Sequence, residues 1–226
     1  MYAFTVRFGE QTDTLDAEGK VISRSDVRPT LEQVRAVLPR FTGLIEQVPP
    51  AYSALKVDGA RAYDLARAGE EVNLASRSIV VHDLQVEETD ASLGAVTLTA
   101  HVSKGTYIRS LARDVAHALG TVGHVTYLHR TKAGPFTLAE AISLDNLDVL
   151  AKERALEQVL LPLRAGLDDI PALALTPDQA GLLRQGQQLV GIAASDGQRF
   201  AMLDETPVAL AEVQSGIVRV VRGFNL

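Results

Sequence analysis

The sequence predicts an α+β protein: a main domain of largely hairpin-connected strands with flanking helices, followed by a small β-rich domain. Three observations predict it. Apolar and polar residues alternate at 2–8 and 95–103, the period-two pattern of strands with one buried face, and a further strand reads at 78–87. One helix-period segment follows, with Ile108, Leu111, Ala112, Val115 and Leu119 recurring on one face before a further strand at 124–131. From Ile170 onward the texture changes to short β-type runs around 189–193, 199–203, 208–213 and 217–221.

Taken in order, Tyr2, Phe4, Val6 and Phe8 alternate with Ala3, Thr5 and Arg7, so a sheet strand begins at the second residue. Domains seldom start this way, and the pattern points to a piece missing in front. Residues 12–19 form a polar loop, and Thr30-Leu31-Glu32-Gln33 is a capping-box signature that opens a short helix carrying Val34, Val37 and Leu38. Pro49-Pro50 breaks regular structure. The mixed segment after it, with Tyr52, Lys56, Arg61, Tyr63 and Arg67, reads as an excursion from the sheet that ends in a short helix before Gly69. Gly105 lets the chain turn sharply between the strand at 95–103 and the helix at 106–119, and Gly120 occupies the C-terminal cap position. Residues 143–167 are helical in character with Pro162 interrupting, and Thr176-Pro177-Asp178-Gln179 caps a helix that ends before Gly186. The expected domains are 1–168 and 169–226, with an insertion in the first at about 50–72.

A chain of 226 residues with 46% apolar content has enough material for a packed core. The net charge of -6 argues against indiscriminate polyanion binding, but charge is uneven. Residues 103–132 hold Lys104, Arg109, Arg113, Arg130 and Lys132 against Asp114 alone, five minus one, or +4. With no cysteine, disulfides, thiolate metal sites and cysteine nucleophiles are excluded, which fits a cytoplasmic protein. No apolar run approaches the roughly 20 residues of a membrane span, and the N-terminus has no signal-peptide order.

Most catalytic signatures are missing. There is no G-x-x-x-x-G-K-[ST] or G-x-G-x-x-G, and Lys104-Gly105-Thr106 has the wrong order for a phosphate loop. Asp13, Asp16 and Glu18 lack the spacing of a calcium loop and read as turn chemistry. The histidines form no H-x-x-x-H or H-E-x-x-H pair, so no metal site is expected. A hydrolase built on Asp13, Asp16 and His101 is the weakest function class. What remains is the switch from strand to helix at Ser103–Arg109, where Lys104, Tyr107 and Arg109 suit an anionic ligand. With Tyr2, Tyr52, Lys56, Arg61, Tyr63, Tyr127, Arg130 and Lys132 they make a set that can stack on unpaired bases and neutralise phosphates.

Tyr2 with its strand, Gly9-Glu10-Gln11-Thr12-Asp13-Thr14-Leu15-Asp16, Pro50-Ala51-Tyr52-Ser53-Ala54-Leu55-Lys56, Ser103 to Arg109, and Gly123-His124-Val125-Thr126-Tyr127-Leu128-His129-Arg130 occur in one order along the chain. In that order they resemble the motifs of the TruB-type tRNA pseudouridine synthases. The resemblance implies a pseudouridine synthase fold on a mixed, largely antiparallel sheet, a thumb-like insertion that grips RNA and a PUA-like C-terminal domain. It implies no metal or organic cofactor, a monomer, and the T-arm of tRNA as partner. In such enzymes the T-loop uridine at tRNA position 55 is flipped out, its glycosidic C–N bond is broken, and the base is rotated and rejoined through carbon. Tyr2 matches the tyrosine that packs on the flipped base, and Arg109 the arginine that pairs with the catalytic aspartate. Tyr107, Asp16, Lys56 and Leu128 match positions along the pocket or RNA path. Tyr52, Arg61, Lys104 and Arg130 join them as expected RNA contacts.

One family motif is absent. The catalytic aspartate of these enzymes sits in a G-x-L-D loop that belongs ahead of Met1. Thr14-Leu15-Asp16 shares the core of that loop but lacks its preceding glycines and following proline, and Leu144-Asp145 and Leu203-Asp204 match no better. The expectation is a synthase whose isolated chain does not isomerise for want of a nucleophile or base. The alternative is a non-catalytic module that binds or folds tRNA.

Overall fold

The computed structural model describes residues 1–57, 59–70, 72–87, 94–167 and 169–224. Asp58 and Glu71 of the expected insertion, Asp168 at the expected boundary, and Asn225 and Leu226 lie outside the described residues. The chain divides into two compact units, Met1–Thr131 and Lys132–Leu226.

In the first unit β1 (Tyr2–Phe8), β2 (Glu10–Thr12) and β3 (Val21–Arg24) precede α1 (Leu31–Val37) and a 3-10 turn at Leu38–Phe41. β4 (Gly43–Gln47), β5 (Lys56–Val57), β6 (Ala60–Arg61) and α2 (Ala62–Arg67) follow, then β7 (Arg77–Val86), β8 (Ala95–Val102), α3 (Ile108–Ala118) and β9 (Gly123–Arg130). The main sheet runs β4-β7-β8-β1-β9, and each neighbouring pair is antiparallel. β1 therefore has a partner on both sides. Its register sets Phe4 opposite Leu98 and Leu128, and Val6 opposite Val96 and Val125.

The alternation does what the period requires: Phe4, Val6 and Phe8 are buried with Val96, Leu98 and Ala100, while Arg7 stays in solvent. On that apolar face lie Ile108, Leu111, Ala112, Val115 and Ala116 of α3, spaced at one and two turns, with Val34 and Val37 of α1. Each large side chain so buried stabilises by roughly 1.5–3 kcal/mol. The Thr30 capping box forms as the sequence predicts.

Two excursions leave the sheet. β2 and β3 make a hairpin around 13–20, and β5, β6 and α2 make the structured part of the insertion. The sequence predicts only a polar loop at the first, and its pattern does not mark β4. In β4 the inward positions are Ile45 and Gln47, so an amide interrupts the apolar period.

The second unit opens with β10 (Lys132–Ala133) and β11 (Phe136–Thr137), then α4 (Leu144–Lys152) between short 3-10 turns. Residues 143–167 are not one interrupted helix. Arg154 adopts φ 57, and Ala155 N donates to Leu150 O at 2.8 Å, closing α4 eight residues before Pro162. β12 (Ala172–Ala174), α5 (Pro177–Arg184), β13 (Leu189–Val190), β14 (Gly197–Leu203), β15 (Thr206–Gln214) and β16 (Ile217–Gly223) complete it, with sheet order β12-β14-β15-β16-β13. Ser215 and Gly216, both at positive φ, close the β15–β16 hairpin as a two-residue turn of the primed type. Ala180, Leu183, Ala201, Val208, Val213 and Val218 form its core. Among the described residues no helix is long and apolar enough to cross a membrane.

Candidate functional site

The site starts from a backbone irregularity in the 13–20 loop. Leu15 adopts φ 64, a left-handed conformation that costs a side-chain-bearing residue about 1–2 kcal/mol, yet it is 95% buried, with 5% of its surface exposed. Burial of Leu15 and the bond from Val125 N to Leu15 O at 3.0 Å hold the turn against β9. Asp16 bridges to Val125 in parallel sense, and its side chain points away from the strand into the unit's open cleft.

The carboxylate of Asp16 is nearly saturated. Oδ1 accepts from Thr14 Oγ1 at 2.6 Å and from Glu18 N at 3.1 Å, and Oδ2 accepts from Arg109 Nη1 at 2.8 Å. Asp13 is used differently: its Oδ1 accepts from Lys20 N at 2.9 Å and closes the loop. Arg109 rises from the first turn of α3. Its Nη1 also donates to Thr14 O, and its Nη2 to Tyr52 O, both at 2.9 Å. Three of five guanidinium donors are so engaged, which leaves one Nη2 hydrogen and the Nε hydrogen without a partner among the described residues. The two side chains are 24% and 27% exposed, so the pair sits at the wall of the cleft rather than in the core.

The cleft, about 540 Å³, is lined beside this pair by Tyr52, Ser53, Tyr63, Arg67 and Tyr107. Arg67 and Arg61 lie over the Tyr63 ring at 5.3 and 5.8 Å from its centroid, and Arg77 over Tyr107 at 5.8 Å. Ser53 Oγ is buried without a hydrogen-bond partner. Aromatic faces framed by guanidinium groups can take a planar, anionic ligand, and unpaired guanidinium N–H donors can bond a carboxylate or phosphate.

The residues singled out from the sequence do not all meet here. Asp16, Tyr52, Tyr107 and Arg109 line the cleft. Tyr2 and Arg130 pair across β1 and β9, where Arg130 Nε donates to Tyr2 Oη at 3.0 Å and the guanidinium lies 5.3 Å from the ring centroid. Leu128, 47% exposed, stands opposite Phe4 on β9. Lys56 and Arg61 face each other across the β5–β6 hairpin, and Lys104 is exposed in the turn before α3. The family motif places the carboxylate partner of Arg109 in the segment expected ahead of Met1, and within the chain Arg109 pairs with Asp16. The roles of Thr14 and Gln47 have no signal in the sequence, because a backbone acceptor and an internal amide leave no compositional trace.

The description "TruB family pseudouridylate synthase (N terminal domain)" matches residues 1–108, and "tRNA pseudouridylate synthase B C-terminal domain" matches residues 109–168. The chain belongs to the TruB family of pseudouridine synthases. It is 59% identical over 229 residues to tRNA pseudouridine synthase B of Novosphingobium aromaticivorans, covering 100% of this chain and 75% of that protein. It is 56% identical to the protein of the same name from Zymomonas mobilis subsp. mobilis, covering 100% and 74%. The chain thus spans about three quarters of the length of these relatives. Among solved structures, a Cbf5-Nop10-Gar1 complex shares the fold with a TM-score of 0.67 at 22% identity, covering 99% of this chain and 66% of that one. An H/ACA RNP bound to a substrate RNA containing 2'-deoxyuridine gives 0.67 at 20% identity, covering 100% and 66%. Pseudouridine synthases are isomerases, and this family member carries their fold. Residues 169–226 lie beyond both matched segments.

Proposed function

We propose that the protein acts on the T-arm of tRNA, as a monomer in the cytoplasm, and that its cleft serves the isomerisation of the T-loop uridine to pseudouridine. The observation that carries this reading is the Arg109 fork. It is held by three acceptors, keeps its Nε hydrogen and one Nη2 hydrogen without a partner among the described residues, and lines a cleft with Tyr52, Tyr63 and Tyr107. Stacking of an extruded base on such rings contributes about 1–3 kcal/mol, and the remaining guanidinium donors suit the carboxylate of a catalytic aspartate. In this reading Tyr2 packs on the flipped base, Tyr107 and Leu128 border its path, and Lys56, Arg61, Lys104 and Arg130 meet the RNA backbone. The insertion at 50–72 is the thumb, and residues 169–226 act as a PUA-like RNA-binding module. The reaction exchanges a C–N for a C–C glycosidic bond with no net redox change, so side chains alone can serve it.

Asp16 does not supply the nucleophile in this reading. Both its oxygens are tied up by Thr14, Glu18 and Arg109, and its role is to brace the guanidinium. The polypeptide by itself is therefore expected to bind T-arm RNA without forming pseudouridine. The test compares this chain with a version extended at its N-terminus by a G-x-L-D-bearing segment from a relative, in a gel shift and a pseudouridine assay. Binding by both and product from the extended version alone supports the proposal. Product from the chain alone overturns the assignment of Asp16, and no binding by either overturns the RNA reading.

A further inference from the structure

Gln47 is 1% exposed, the one amide side chain among the largest fully buried of the described residues, and both of its polar ends are spent on a single residue. Its Nε2 donates to Tyr107 O at 3.2 Å, and its Oε1 accepts from Tyr107 N at 2.8 Å. The side chain imitates a strand partner for one residue, meeting its N–H and its C=O, which belong to two successive peptide units. That residue is the N-cap of α3, whose N–H has no acceptor within the helix. Two further bonds tie the same stretch to the same helix: Arg113 Nη2 donates to Val48 O at 3.0 Å, and Arg109 Nη2 to Tyr52 O at 2.9 Å. The base of the 50–72 insertion is therefore stapled to the first two turns of α3 at three points, with Gln47 at the buried end.

We propose that Gln47 is a positioning residue, holding Tyr107 and the start of α3 in the one register that lets Arg109 reach Thr14, Asp16 and Tyr52 together. It touches no ligand and acts through Tyr107. A shift of α3 by a fraction of a turn would leave the guanidinium unable to span acceptors that come from two separate loops. The chemical importance of that register rests on the proposed function, but its existence does not.

Two measurements on the full chain, free of RNA, decide it. In the wild type, hydrogen exchange should show the Tyr107 amide protected to the degree of Leu111, which has an intrahelical acceptor, although a helix N-cap amide ordinarily exchanges as if unprotected. Fast exchange at Tyr107 overturns the clamp whatever any variant does. In Gln47→Met, which keeps length and apolar volume but no hydrogen bonds, circular dichroism should be unchanged. The Arg109 Nη resonances, separate in the wild type because both groups are held, should then merge as rotation about the guanidinium is restored. Unchanged Arg109 signals in a folded Gln47→Met protein overturn the positioning role. Because neither readout involves RNA, a failed RNA-binding assay would leave this result standing.

Discussion

Arg109 and Asp16, 93 positions apart, meet at 2.8 Å across the cleft wall, and each is held there by further partners of its own. A single free carboxylate beside a guanidinium would be a mobile surface pair of little consequence. Here Leu15 sets the acid from below and α3 sets the base from the side, so the ion pair is a fixed part of the wall.

Asp16→Asn removes the charge but keeps a carbonyl that can accept from Thr14 or Glu18. At 24% and 27% exposure the pair falls between surface and buried bridges, so a loss of about 1–2 kcal/mol is expected. Urea denaturation should show a lower midpoint at unchanged slope, and an unmoved midpoint would refute the structural weight given to the pair.

Arg109→Lys keeps the charge and loses the fork. One ammonium cannot reach Thr14 O, Asp16 Oδ2 and Tyr52 O in the plane where they lie. In the extended version, pseudouridine formation should fall by at least about a hundredfold while T-arm binding is largely retained. Wild-type turnover would remove Arg109 from the mechanism.

Binding of T-arm RNA should weaken steeply with salt, since phosphate neutralisation releases counterions. Lys104 is exposed beside the cleft helix and forms no ion pair among the described residues, so Lys104→Ala should reduce the slope of log K against log salt by about one. A slope identical to wild type would place Lys104 away from the RNA.

Two glycines should respond with opposite sign. A Cβ at Gly123 would lie 3.0 Å from Arg7 O, 3.1 Å from Ala116 Cβ and 3.2 Å from Val6 Cγ1, so Gly123→Ala wedges β9 from β1 and α3. A cost of about 1–3 kcal/mol is expected. Gly181 lies inside α5 with nothing within 4 Å of a new Cβ, so Gly181→Ala should stabilise by about 0.5–1 kcal/mol. Thermal melts of the two variants check the pair, and shifts of like sign would contradict this packing.

Local pattern by itself determined most elements of this protein. The alternation from Tyr2 to Phe8, the helical spacing from Ile108 to Ala116 and the Thr30 and Thr176 caps are properties of neighbours in the chain, and the structure forms each of them. The ordered motifs likewise carried the family. Tertiary structure alone decided which of the marked residues share a cleft. Asp16, Tyr52, Tyr107 and Arg109 arrive from three separate segments, while Tyr2 and Arg130, equally conspicuous in sequence, pair with each other on the sheet. It also decided what Arg109 holds, because two of its three acceptors are backbone carbonyls that every residue possesses. Period and composition record which side chains are apolar or charged. They do not record which carbonyl lies in reach of a guanidinium, or that a buried amide at 47 answers both the N–H and the C=O of residue 107, since those depend on the register in which distant segments pack.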